Sequence, residues 1–213
     1  MLFNFNGVLV RTRSLAVAHF NEIAHEKGYR PIAPDEAEAL GGLPIRERCR
    51  LLGVPLHRMP VIGMAIKRRY QEALPGLPAI EGMPKLLADL KSRGIRIGFV
   101  TSNSKEASRA FLRHNGMELF DDECYAAHPF SKTRDLARFV KASGMEKSRL
   151  LYVGDERRDL AAGKRLGIKS IGAAWGYDSS GLLRQSDPVF VAEHPEQLRE
   201  FLLNDRFEGG FPC

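Results

Sequence analysis

From residue 78 onward, strand-like segments of three to six residues alternate with helical segments roughly ten residues long. No other feature of the chain constrains its fold as much. Met83–Arg93 reads as a helix that stops at Gly94, a residue suited to the left-handed backbone that closes helices. Ile95–Val100 reads as a buried strand, Ser104–Asn115 as a helix ended by Gly116, and Glu123–Ala127 as a short strand. Lys132–Ser143 is a helix closed by Gly144; Leu150–Val153, Lys169–Ala174 and Val189–Val191 are strands; Asp159–Leu166 and Pro195–Leu203 are helices. Strands joined through helices run parallel, because an antiparallel neighbour needs only a tight turn. The expected fold class is therefore α/β: a Rossmann-like parallel sheet flanked by helices.

The first third of the chain is different. Leu2-Phe3-Asn4-Phe5 reads as a strand that breaks at Asn6-Gly7, a turn signal. After it, Ser14–Lys27 (with Ser14 as N-cap), Pro34–Leu40, Ile45–Leu52 and Leu56–Leu74 carry helical patterning, with no strand signal among them. Pro75-Gly76-Leu77-Pro78 reads as a linker. The expected division is residues 1–12 and 78–203 as one domain, 13–77 as an all-helical insertion, and 204–213 as a C-terminal tail.

The net charge of +6 favours anionic partners. The basic residues, such as Lys67-Arg68-Arg69 and Lys164-Arg165, are spread along helices and not gathered in one block. Solvated helix faces plus one anion site explain that spread better than nucleic-acid binding. Cys49, Cys124 and Cys213 are odd in number, far apart and without a CxxC pair, which fits a reducing compartment. No signal peptide or membrane-length apolar run is visible, and the expected location is the cytoplasm.

Ligands of parallel sheets bind beyond the carboxyl ends of the strands. The residues at those ends are Asn4, Asn6, Thr101, Ser102, Asn103, Asp155, Glu156 and Asp159. Thr101-Ser102-Asn103 opens a helix, where hydroxyls and free backbone N–H groups suit a phosphate oxygen. Asp155 and Asp159 offer oxygen ligands for a divalent cation. Lys132, at the start of another helix, supplies positive charge. Hydroxyls, a lysine and clustered carboxylates are the parts of a magnesium-assisted phosphoryl-transfer site, but a nucleophile is missing.

These segments resemble four ordered motifs of the haloacid dehalogenase superfamily, in its phosphoglycolate-phosphatase-like branch. Leu2–Val10 is similar to a first motif that normally reads Asp-x-Asp-Gly-Thr-Leu-Val. Phe99–Ser104 is similar to the second motif, Lys132 falls at the third, Leu151–Asp159 matches the fourth, and Trp175-Gly176-Tyr177 resembles the segment after the next strand. The resemblance implies that residues 13–77 form a small helical cap inserted after the first strand. It also implies a catalytic pair at positions 4 and 6, the first attacking phosphorus and the second acting as acid and base, with Lys132 neutralising charge. Phosphate would rest on Thr101 or Ser102, Thr101 being preferred, with Asn103 and Lys132. Magnesium would lie among position 4, the carbonyl of position 6 and Asp155, with Asp159 bound directly or through another ligand.

This chain departs from the pattern where the chemistry is done: Asn4 and Asn6 stand in place of both aspartates, Val8 in place of Thr, and Arg11 where Asp is frequent. Losing a nucleophile costs on the order of 10⁴ to 10⁶ in rate. Losing an acid/base group costs about 10² to 10⁴. The expected function is a pseudophosphatase that binds phosphate or a phosphorylated small molecule, with a weakened or absent magnesium site. Two readings stand beside it. One is a working magnesium-dependent phosphomonoester hydrolase, if the asparagines are engineered or deamidate. The other is a basic scaffold for a protein partner, with a vestigial pocket.

Overall fold

A computed structural model describes residues 1–126 and 131–203. At its centre is a parallel sheet of six strands: β1 (Leu2–Asn4), β2 (Gly98–Thr101), β3 (Asp122–Tyr125), β4 (Leu151–Gly154), β5 (Lys169–Ala173) and β6 (Phe190–Ala192). The strand order is β3-β2-β1-β4-β5-β6. The chain's first strand therefore lies in the middle, with Leu2 opposite Gly98 on one side and Tyr152 on the other. A central parallel strand is covered on both faces, which is why Leu2-Phe3-Asn4-Phe5 is nearly continuous in apolar character. Leu2, Phe3 and Phe5 are fully buried. Phe5 meets Phe99 and Phe111 edge to face, each at a centroid distance of 5.3 Å, a geometry that aligns ring edges with ring faces.

Helices α1 (Arg13–Lys27), α2 (Ala37–Gly42), α3 (Ile45–Leu51) and α4 (Met59–Ala73) lie between β1 and the rest of the sheet in sequence. They share their own apolar cluster, built around Phe20, Ala24, Leu40, Leu52 and Ile62. The sheet is flanked by α5 (Met83–Ser92), α6 (Lys105–His114), α7 (Lys132–Ser143), α8 (Arg157–Leu166), α9 (Ser180–Arg184) and α10 (Pro195–Leu203). No helix among the described residues is long and apolar enough to cross a membrane. Cys49 and Cys124 are buried free thiols; Cys213, with the rest of the expected 204–213 tail, lies outside the described residues.

Several boundaries differ from the sequence expectation, each for a local reason. Helix α1 begins at Arg13, not after Ser14, and its N-cap Thr12 makes no capping bond. The Thr12 hydroxyl donates to Tyr177 Oη at 2.9 Å instead. Helix α2 starts three residues later than Pro34 and includes Gly41 and Gly42. Residues 33–36 are held as a turn because Glu36 accepts two bonds from Arg30, each at 2.6 Å, and one from Ala33 N at 2.8 Å. Strand β2 starts at Gly98, not Ile95, because Ile95 N bonds back to Leu90 O at 3.0 Å and finishes α5. Helix α8 starts at Arg157, ahead of Asp159, through a capping box between Glu156 and Asp159. The linker at Pro75 is a single 3-10 turn, Leu74–Gly76. Strand β3 ends at Tyr125, and Ala127 lies outside the described residues.

Candidate active site

Strands β1, β2 and β4 are neighbours, and the direction of strand progression reverses at β1. A reversal of that kind opens a crevice at the carboxyl ends of the strands. The residues there are Asn4 and Asn6 after β1, Thr101-Ser102-Asn103 at the end of β2, and Asp155 after β4. Helix α7 brings in Lys132.

Asn4 is the hub and is only 4% exposed. Its Nδ2 donates to the Asn6 carbonyl at 2.9 Å and to Asp155 Oδ1 at 2.8 Å. Its Oδ1 accepts from Lys132 Nζ at 2.8 Å. This environment fixes which end of the amide is which. An ammonium has only hydrogens to give, so it faces the oxygen; a carbonyl and a carboxylate can only accept, so they face the nitrogen.

Asp155 is fully buried. Its second oxygen accepts from Tyr177 N at 3.1 Å. Two glycines make room for it. A Cβ on Gly7, whose φ is +78°, would sit 1.8 Å from Asp155 Oδ2, and one on Gly176 would sit 2.3 Å from Asp155 Cβ. Burial, then the charges of Asp159 and Glu156, push the Asp155 carboxyl well above the usual carboxylate range. Burial pushes the Tyr177 hydroxyl up to about 12.

Asp159 is also fully buried and meets Asn4 only through Lys132, whose Nζ lies 2.8 Å from Asp159 Oδ1. Its carboxylate also accepts from Tyr152 Oη at 3.1 Å and Glu156 N at 3.2 Å. Asn6 Oδ1 accepts from Tyr70 Oη at 2.9 Å and Asn103 Nδ2 at 2.8 Å. Thr101 is 3% exposed, and its hydroxyl accepts from Asn103 N at 3.1 Å. Ser102 is half-buried and lines the crevice. Ser104 caps α6, accepting from Ala107 N.

Above these residues is a cavity of about 790 Å³. Its floor is polar, with Asn4, Asn6, Ser102 and Lys132. The opposite wall comes from α1 to α4 and is largely apolar, including Val17, Phe20, Leu40 and Met59. Among the described residues, no three His, Cys, Asp or Glu side chains gather in a way that would hold a metal ion.

Sequence reasoning missed two partners of this site. Tyr70 comes from α4, with no local signal to mark it. Tyr177 lies in the Trp175-Gly176-Tyr177 segment, to which the sequence assigns no role in the site; its backbone N–H holds Asp155, and Trp175 Nε1 ties down Val8 O at 3.1 Å.

Residues 1–173 match the family model for haloacid dehalogenase-like hydrolase. A phosphoglycolate phosphatase of Synechococcus elongatus is 30% identical over 199 residues, covering 93% of this chain and 94% of that protein. A haloacid dehalogenase-like family hydrolase from Streptococcus pneumoniae superposes with a TM-score of 0.79 at 15% identity, over 94% of this chain and 96% of that one. CbbY from Rhodobacter sphaeroides, solved in complex with phosphate, superposes with a TM-score of 0.68 at 20% identity, over 92% and 94% of the two chains.

Proposed function

The chain belongs to the haloacid dehalogenase-like hydrolases, in the branch of the phosphoglycolate phosphatases, and on that premise we propose that it is a pseudophosphatase. It binds phosphate or a phosphorylated small molecule beside Asn4 and Asn6 and does not hydrolyse it. The bonding of Asn4 carries this reading. A nucleophile must offer an electron-rich lone pair to phosphorus, but the Asn4 nitrogen donates to two acceptors and the oxygen that faces Lys132 is a neutral amide oxygen. The amide carries no negative charge to drive the attack. Asn6 has no proton to give to a leaving group and cannot take one from water.

The anion-binding parts remain. Lys132 supplies charge, and the start of α6 supplies backbone N–H groups beside Ser102. Between the two hydroxyls, Ser102 is the better placed phosphate donor, because it is half-buried on the crevice while Thr101 is only 3% exposed. Asn103 acts by holding Asn6. Removing two carboxylates from the pocket also removes repulsion toward a phosphate dianion. Phosphate in the CbbY structure and the name of the Synechococcus relative support this ligand class. The helices of residues 13–77 act as the cap. Their apolar wall and the cavity of about 790 Å³ favour a phosphoester with an apolar body over a two-carbon acid. Among the described residues, Asp155 is the one carboxylate in contact with Asn4, the least that a magnesium site ordinarily uses, so the ion is not held firmly.

The test is a phosphatase assay with a generic phosphomonoester and Mg²⁺, run beside calorimetric titration of inorganic phosphate. The chain as it stands should bind phosphate and show no turnover above background. The Asn4→Asp, Asn6→Asp double variant should recover measurable turnover. Hydrolysis by the unaltered chain, or no phosphate binding with or without Mg²⁺, would overturn the reading.

A further inference from the structure

We propose that the Asn4 carboxamide takes the place of the divalent cation, so that the phosphate site works without metal and excludes it. The fit to a cation fails on the donor geometry. The two oxygens that converge beside position 4, Asn6 O and Asp155 Oδ1, each already face a hydrogen of Asn4 Nδ2, at 2.9 and 2.8 Å. A cation placed between them would meet an N–H pair, which repels it. The other Asp155 oxygen is held by Tyr177 N at 3.1 Å, and Gly7 and Gly176 close around the carboxylate. Asp159 does not reach this point, because Lys132, Tyr152 and Glu156 N take its oxygens.

Turning the amide over does not open the site. It would bring the Asn4 N–H₂ group against Lys132 Nζ, which is 2.8 Å from Asn4 Oδ1 and has no lone pair to accept with. Lys132 therefore locks the amide in the orientation that excludes a cation. The amide also links Asn6 O to Asp155, as a metal would, so the loop after β1 stays fixed without one. The metal-independence of anion binding rests on the reading of this pocket as a phosphate site. The exclusion of cations does not depend on it.

The experiment uses the full chain with Mn²⁺ as the probe, followed by loss of the free-ion paramagnetic resonance signal, and with inorganic phosphate followed by calorimetry in EDTA and in Mg²⁺. The unaltered chain should show no saturable Mn²⁺ binding at millimolar concentrations. Asn4→Ala, which removes the two N–H donors and adds no ligand, should bind Mn²⁺ at least about tenfold more tightly than the unaltered chain. Asn4→Asp, which supplies a carboxylate, should bind it more tightly still. Phosphate affinity of the unaltered chain should be the same in EDTA and in Mg²⁺. Saturable Mn²⁺ binding by the unaltered chain would overturn the proposal. So would an Asn4→Ala variant that binds no better, because ligand number and not the amide would then explain the absence. A phosphate affinity that rises about tenfold with Mg²⁺ would overturn the metal-independent half. Failure of phosphate to bind under any condition would sink the pseudophosphatase reading and leave the Mn²⁺ titrations to decide cation exclusion.

Discussion

Lys132 serves two partners of the candidate site at once. It gives hydrogens to Asn4 Oδ1 and to the carboxylate of Asp159, which is fully buried. Removing one partner of a buried ion pair leaves the other charge without compensation, which destabilises far more than an exposed pair could contribute. Lys132→Met should therefore lower unfolding stability by about 3 kcal/mol and abolish calorimetric phosphate binding. Pairing it with Asp159→Asn should restore much of the stability and none of the binding. A loss below about 1 kcal/mol in urea unfolding would mean that the pair behaves like a surface contact. The positions of these residues were legible in the sequence, because Asn4, Thr101 and Asp155 each follow an apolar run. Their bonding was not. The orientation of the Asn4 amide is set by the Asn6 carbonyl two residues on together with Lys132 and Asp155, 128 and 151 positions away, and the distant pair cannot be read from the residues around position 4.

The contact of α8 with β5 depends on a glycine in mid-helix. Gly163 weakens α8 by about 1 kcal/mol relative to alanine in intrinsic propensity, yet a Cβ there would lie 2.1 Å from Ser170 Oγ and 3.2 Å from Ile168 O. Gly163→Ala should consequently destabilise the protein by about 2 kcal/mol despite the better propensity. Ser170→Ala in the same chain should recover at least half of that loss, the signature of two positions that share one space. A stabilising Gly163→Ala in denaturant unfolding would show that the helix shifts freely on the sheet. At this scale the second half of the chain was the more readable, because four of its helices are followed by a glycine (Gly94, Gly116, Gly144, Gly167) and β2 and β4 lie in apolar runs. Helix α9 was not read at all: five residues, Ser180–Arg184, are too few for a helical period to show. The start of α1 was misplaced because Ser14 has the chemistry of a cap, while Thr12, which holds the position, spends its hydroxyl on a tyrosine 165 residues away. Which apolar residues of α1 to α4 would face the pocket and which their own cluster was beyond periodicity alone.

Across the whole molecule, the sheet supplies polar groups from one side of the cavity and the helices of residues 13–73 supply an apolar wall from the other. That division predicts how affinity grows with ligand size. In a series of straight-chain alkyl phosphates, each methylene that reaches the helical wall should add up to roughly 0.8 kcal/mol, about fourfold in affinity. The gain should level off when the wall is covered, and competition with inorganic phosphate would measure it. A flat series would assign the wall to the interior of the helical cluster and not to a ligand. The central place of β1 also bears on time. Leu2 pairs with Gly98 and Tyr152, so β1 must wait for its second neighbour while the ribosome adds on the order of 150 residues, about 8 to 30 seconds at usual rates of synthesis. For about the first two thirds of that interval Leu2-Phe3-Asn4-Phe5 has neither neighbour, and for the rest β2 is its one available partner, so it remains open to chaperones and to mispairing. The helices that follow it can close on one another long before, so the polar pocket is among the last parts of the molecule to come into existence.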